Sequence, residues 1–243
     1  MKKLNLIALL LLVTTLSFAQ SFEGKLTYVV EFDITAQKIG DFEITETQIL
    51  DKMKEEGAYF DTIIITIKEG NYIKKNNSNT QETVIYLSDS NNVYVLQKDF
   101  EFITITDASK ISPFNIEVGE YKLIKSDTTK SILGTDCEII TLSWGTLGTE
   151  QYCYNKDMAP IDPKLFENHI YEGLNTVLNI THSYPLEIKK TMNDFISVKM
   201  TLVNYADEKI DDAVFVLPAM EAAEKEYSDL MLQMTGSRVM KIK

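Results

Sequence analysis

Arginine is almost missing from this sequence: Arg238 is the only one, and the formal net charge is −12. Phosphate backbones are held by clustered Lys and Arg, so nucleic acid is not expected as a partner. An anionic membrane surface repels such a chain as well. The acidity itself reads as a device for solubility. Histidine is scarce too. His169 and His182 stand alone, with no HExxH pattern around either. His169, in a polar stretch, reads as a surface or hydrogen-bonded side chain. A GxSxG elbow, a P-loop and a GxGxxG turn are all lacking. No nucleophile can be paired with a base, so the chain is expected not to be an enzyme and to carry no cofactor.

Acidic clusters are present but lack metal-ligand spacing. Asp207, Glu208, Asp211 and Asp212 have neither the spaced ligands nor the glycine of a calcium loop, and read as a solvated turn. No metal site is expected. Asn76-Asn77-Ser78 and Asn179-Ile180-Thr181 match the glycosylation sequon, a short and common pattern.

Cysteine is limited to Cys137 and Cys153. Without a CxxC spacing or a nearby histidine, an even pair in an oxidising compartment reads as one structural disulfide. Its loop of about 15 residues is worth roughly 3 kcal/mol in the chain-entropy account. If residues 136–143 pair with 147–154 around Trp144-Gly145-Thr146, the two cysteines face each other on the more polar side, with Ile140, Leu142, Tyr152 and Tyr154 on the other. A turn centred on Thr146-Leu147 would instead offset them by three residues.

Long apolar runs are confined to the start. Lys2 and Lys3 precede an apolar stretch from Leu4 to Leu16, and Ser17-Phe18-Ala19 supplies small residues for cleavage. This is the layout of a secretory signal peptide over residues 1–19, leaving 20–243 as one β-rich domain. The stretch is short against the ~20 apolar residues of a membrane span. With no cysteine at the cleavage point, a lipoprotein is not expected. No transmembrane segment is expected in the mature chain. The expected address is outside the cytoplasm of a Gram-negative cell, periplasmic or secreted.

The rest is dominated by alternation. Leu26, Tyr28, Val30 and Phe32 share one face of a strand, with Thr27 and Glu31 on the other. Further strands are expected at 62–68, 72–75, 82–87, 93–97, 101–106, 118–125, 186–190, 196–205 and 213–217, with a hairpin loop at Ser88–Asn92. A helix is expected over 41–56, closed by Gly57. Residues 163–175 read as irregular or a short helix. Pro218 opens a terminal helix over about 219–235 with an apolar stripe of Met220, Ala223, Tyr227, Leu230, Met231 and Met234. That helix packs on the sheet or serves as an adaptable lid.

Several segments together resemble a known group: Phe22-Glu23-Gly24, Gly70-Asn71-Tyr72-Ile73-Lys74-Lys75, Val93-Tyr94-Val95-Leu96, Gly134-Thr135-Asp136-Cys137-Glu138, Tyr184-Pro185-Leu186-Glu187-Ile188 and the ending Asp211-Asp212-Ala213-Val214-Phe215-Val216-Leu217-Pro218. They resemble exported bacterial domains of unknown function and, more distantly, the LolA/LolB lipoprotein-carrier superfamily. The resemblance implies an α+β fold: a curved antiparallel sheet, an unclosed half-barrel, with helices covering its concave side. It also implies a lipid or other apolar ligand between sheet and helices. The inward rows that would line the space are Tyr28, Val30, Ile63, Ile65, Tyr86, Val95, Phe102, Val198, Met200 and Phe215, which equally suit a filled core. The carriers bear arginines and this chain has one, so lipoprotein trafficking does not carry over. The competing expectation is a non-catalytic structural or protein-interaction domain of the envelope.

Overall fold

The computed structural model describes residues 21–39, 42–110, 121–145, 148–192 and 195–243. The expected leader lies outside the described residues. The first strand, β1 (Gly24–Ile34), buries Leu26, Tyr28 and Val30 on one face, as its alternation dictates. After the small hairpin β2 (Gln37–Ile39) and β3 (Phe42–Ile44) comes α1 (Glu46–Glu55). Thr45 and Gln48 close a capping box at its start, and Glu56 and Gly57 end it.

Two antiparallel meanders follow. The first runs through β4 (Thr62–Lys68), β5 (Asn71–Asn76), β6 (Thr83–Leu87), β7 (Asn92–Leu96) and β8 (Phe102–Asp107). The second runs through β11 (Thr135–Ser143), β12 (Gly148–Tyr154), β13 (Glu187–Met192) and β14 (Ile196–Asp207). β1 joins them, pairing with β14 on one side and β4 on the other, so that Tyr28 lies between Leu202 and Ile63. The short strands β9 (Lys122–Lys125) and β10 (Lys130–Ile132) border β11 at one edge. β16 (Arg238–Ile242) and β15 (Met220–Ala222) border β8 at the other. Among the described residues the two edges do not meet, and the antiparallel sheet is unclosed.

The inner face, that of Tyr28, is covered by residues 158–184. This stretch contains the single turns Pro163–Phe166 and Tyr171–Gly173 and then α2 (Leu174–Thr181). α2 buries Val177, Leu178 and Thr181. Its Asn, Thr, Val and Ile content has poor helix propensity, so packing on the sheet decides its conformation. Gly70 permits close approach of this cover: its φ is 81°, and a Cβ there would meet the Leu165 carbonyl oxygen at 3.1 Å.

The terminal region departs from the sequence pattern. Residues 213–217 form no strand; Asp212–Phe215 is a helical turn whose first N–H groups are capped by Asp211, which accepts from Ala213 at 2.9 Å. The terminal helix is shorter than expected. α3 (Lys225–Thr235) buries no side chain, and Leu230, Leu232 and Met234 are exposed. Gly236 ends it in the left-handed region, as the sequence predicts.

The cysteines do not form a disulfide; both are buried free thiols. In the observed register Ile139 faces Cys153, and Cys137 lies two residues along the strand. A shift of two residues keeps both cysteines on one face, as expected, but places them diagonally, ~7–8 Å apart. A disulfide needs Cβ atoms within ~4.5 Å. The face is buried rather than polar. Cys153 packs against Glu187, whose carboxylate is 4% exposed and takes two bonds from Lys130, at 2.6 and 2.7 Å, and one from Thr201 at 3.0 Å. Burial first, and the neighbouring Glu187 second, push the Cys153 thiol up to about 12.

Candidate functional site

The ten residues expected to line a cavity fall into different surroundings. Tyr28, Val30, Ile63, Ile65 and Tyr86 are buried in one continuous core. The space around them is occupied by Ala159, Ile161, Phe166, Leu178 and Tyr184 of the covering stretch. Tyr86 stacks on Tyr72 and Phe166 with ring centres 5.4 and 5.9 Å away, and the Tyr28 hydroxyl donates to the Pro185 carbonyl at 2.7 Å. His169 completes this packing, 3.0 Å from the Tyr72 hydroxyl through Nε2. Burial pushes its imidazole down to about 4, so it is neutral at ordinary pH.

Phe215 belongs elsewhere, with Ile73, Ile85, Tyr94, Ile103, Ile105 and Ile210. By strand register that cluster lies on the outer face of the sheet. Phe102 is half-buried, its ring centre 4.9 Å from that of Tyr227 on α3. Val95, Val198 and Met200 are half-buried at the margin of the main core. Val198 and Met200 lie in register with Phe32 and Val30 at one end of the inner face, an end left partly uncovered.

That uncovered end carries charges that the search for motifs passed over. Lys190 lies in register with Val198, and Glu150 with Lys190, all on the inner face. The Lys190–Glu150 pair closes at 2.9 Å, and the buried Tyr152 hydroxyl donates to the same carboxylate. Lys74 of β5 reaches Glu172 at 3.7 Å. Lys74 holds the Glu172 carboxyl below its usual range, with Lys190 assisting, against the opposing effect of burial. For Lys190, burial acts to lower its pKa, but Glu150 and Glu172 together raise it.

Lys74 and Lys190 stand on β5 and β13, four strands apart in the sheet. Periodicity located the apolar rows, but Lys74, Glu150, Glu172 and Lys190 come from four distant segments, and neither pairing has a local signature. The one hint was that Lys74 and Lys190 follow the apolar Tyr72 and Ile188 at inward positions of their strands.

A separate polar depression of about 200 Å³ lies between α1 and the sheet, lined by Lys54, Gly57, Tyr59, Phe60, Asp61, Asn77 and Asn79. It includes none of the ten expected residues. Among the described residues no group of three His, Cys, Asp or Glu is placed to hold a metal ion, and no helix is long and apolar enough to cross a membrane. The uncovered inner-face end thus offers the Lys190–Glu150 pair beside a half-buried apolar strip, while Lys74 and Glu172 meet further along, in register with Ile65. That arrangement can bind and orient a molecule with a charged head and an apolar body. In comparisons with known proteins, no family model and no curated protein matches this chain.

Proposed function

We propose that this chain is an exported, non-enzymatic binding protein of the cell envelope that takes a lipid or other apolar-tailed ligand at the uncovered end of its inner face. The leader pattern of residues 1–19 supports the address. An open antiparallel sheet with a short helical cover on one face supports the half-barrel, LolA-like reading of the fold. The observation that carries the binding proposal is the half-buried pair Val198 and Met200 next to Lys190, on a face whose other half is packed solid. The ligand space is accordingly smaller than the ten-residue cavity the resemblance implies, and it excludes the surroundings of Tyr28 and Tyr86.

The test is native mass spectrometry of protein recovered from the periplasm, paired with titration of phenylnaphthylamine, a neutral fluorescent probe. A bound mass and one saturable probe site, lost in a folded Met200→Asp variant, are expected. A ligand-free mass with no saturable site would reject the proposal and leave the envelope interaction domain as the better reading.

A further inference from the structure

We propose that the polar depression between α1 and the sheet is a second binding site, one that takes a single neutral sugar ring. It is separate from the inner-face end around Met200 and does not depend on it.

The walls come from three stretches that are tied together before any ligand arrives. Ala58 and Tyr59 both donate their N–H groups to the Met53 carbonyl, at 2.8 and 3.1 Å, which folds the chain leaving α1 back against the helix end. The Thr80 N–H donates to the Gly57 carbonyl at 3.3 Å, and the Asn77 N–H to the Thr62 carbonyl at 3.2 Å. The loop after β5 is thereby held both to the helix end and to the start of β4. The Asn77 side chain closes the join. Its Oδ1 accepts from the N–H groups of Asp61 and Thr62 at 3.0 and 3.1 Å, and its Nδ2 donates to Asp61 Oδ1 at 2.7 Å. Gly57 keeps the two sides close: its φ is 72°, and a Cβ there would stand 3.1 Å from the Asn79 Cβ. The hollow of about 200 Å³ is therefore pre-formed, and binding adds little ordering cost.

The lining groups select the class of ligand. Asp61 is an acceptor. Bonds from Asn77 and then Thr62 hold its carboxyl below the usual carboxylate range, and both land on Oδ1, which leaves Oδ2 to accept from a ligand. Asn79, exposed at the rim, offers an amide donor and an amide acceptor side by side. Lys54 adds ammonium donors, with Nζ 5.2 Å from the centre of the Tyr59 ring. Tyr59 and Phe60 supply half-buried ring surface. A hydroxyl both donates and accepts, so hydroxyls on adjacent carbons match donors and acceptors set close together, while the C–H face of a sugar rests on aromatic carbon. The charges select against ions. Lys54 and Asp61 cancel, so an anionic sugar meets Asp61 and a cationic one meets Lys54. An alkyl chain would strand Asp61 and the two carboxamides away from water.

The experiment follows the Asn79 side-chain amide and the Gly57 N–H by NMR of nitrogen-15-labelled protein. Methyl glucoside, methyl galactoside and N-acetylglucosamine are titrated, with gluconate and glucosamine as the charged comparisons. At least one of the three neutral sugars is expected to saturate both signals and to bind more tightly than either charged one. Asn79→Ala, a change at an exposed side chain, should weaken that sugar about fivefold. Lys54→Met should weaken it as well and narrow the gap to glucosamine, since only the Asp61 charge remains. No saturable shift with any neutral sugar, or a charged sugar bound as tightly as the best neutral one, would overturn the proposal. So would binding that both variants leave undisturbed. None of these results touches the inner-face reading, whose own readout is the fluorescent probe.

Discussion

Two lysine–glutamate pairs stand on opposite faces of one sheet and do opposite work. Lys130 meets Glu187 through two short bonds, and the carboxylate is enclosed by Thr201 and Cys153. Lys74 meets Glu172 through one long contact on the inner face, with the glutamate half exposed. The first pair satisfies a buried charge and ties β10 onto the sheet through β13. The second satisfies little and can be broken at low cost. The same two residue types make a buried tie in one place and a loose, half-exposed contact in the other, according to how completely their surroundings exclude water.

That contrast breaks most visibly at Lys130. Lys130→Met leaves the buried Glu187 carboxylate with Thr201 as its remaining hydroxyl donor and should cost about 3 kcal/mol, read as a lower urea midpoint with unchanged slope. Replacing both partners, Lys130→Met with Glu187→Leu, should recover most of it. A loss below about 1 kcal/mol would place the first pair in the same class as the second.

The filled half of the inner face has its own signature in acid. His169 is held at about 4 against an ordinary 6.5, so between those values the unfolded chain takes up a proton that the folded one refuses. Its contribution is complete above pH 6.5 and falls away as the pH drops toward 4, by about 3 kcal/mol in all. A His169→Gln variant measured alongside wild type should show a flatter profile through this window.

The smallest effects belong to the second pair. Glu172→Gly relieves a left-handed glutamate and should raise stability by up to about 1 kcal/mol. Lys74→Met should change it by less than about 1 kcal/mol. Larger losses from either would mean that the contact carries more than a loose, half-exposed pair does.

Local patterns in the sequence revealed much of the sheet and little of the site. The alternation in β1 and β14, the capping of α1 by Thr45 and the stop at Gly236 depend on neighbours in the chain, and they could be read directly. The cysteine register could not, because the hairpin admitted more than one turn and the local sequence does not choose between them. α2 was hidden because its residues favour other conformations and the sheet imposes the helix. Asp211 caps a turn where β-branched residues suggested a strand. β16 lies just beyond α3 and is recognisable only as a partner for β8. Lys74 and Glu172 come from a strand and a covering turn far apart in the chain, a meeting that no window of sequence contains.

The central claim is that the uncovered end around Met200 is where a ligand enters. Methionine-methyl NMR during a decanoate titration tests it most directly, because the chain's methionines lie at distinct places in the fold. The account predicts a saturable shift of the Met200 methyl with Met53, Met158 and Met234 unmoved. A silent Met200, or shifts gathered on Met231 and Met234 of α3, would contradict it.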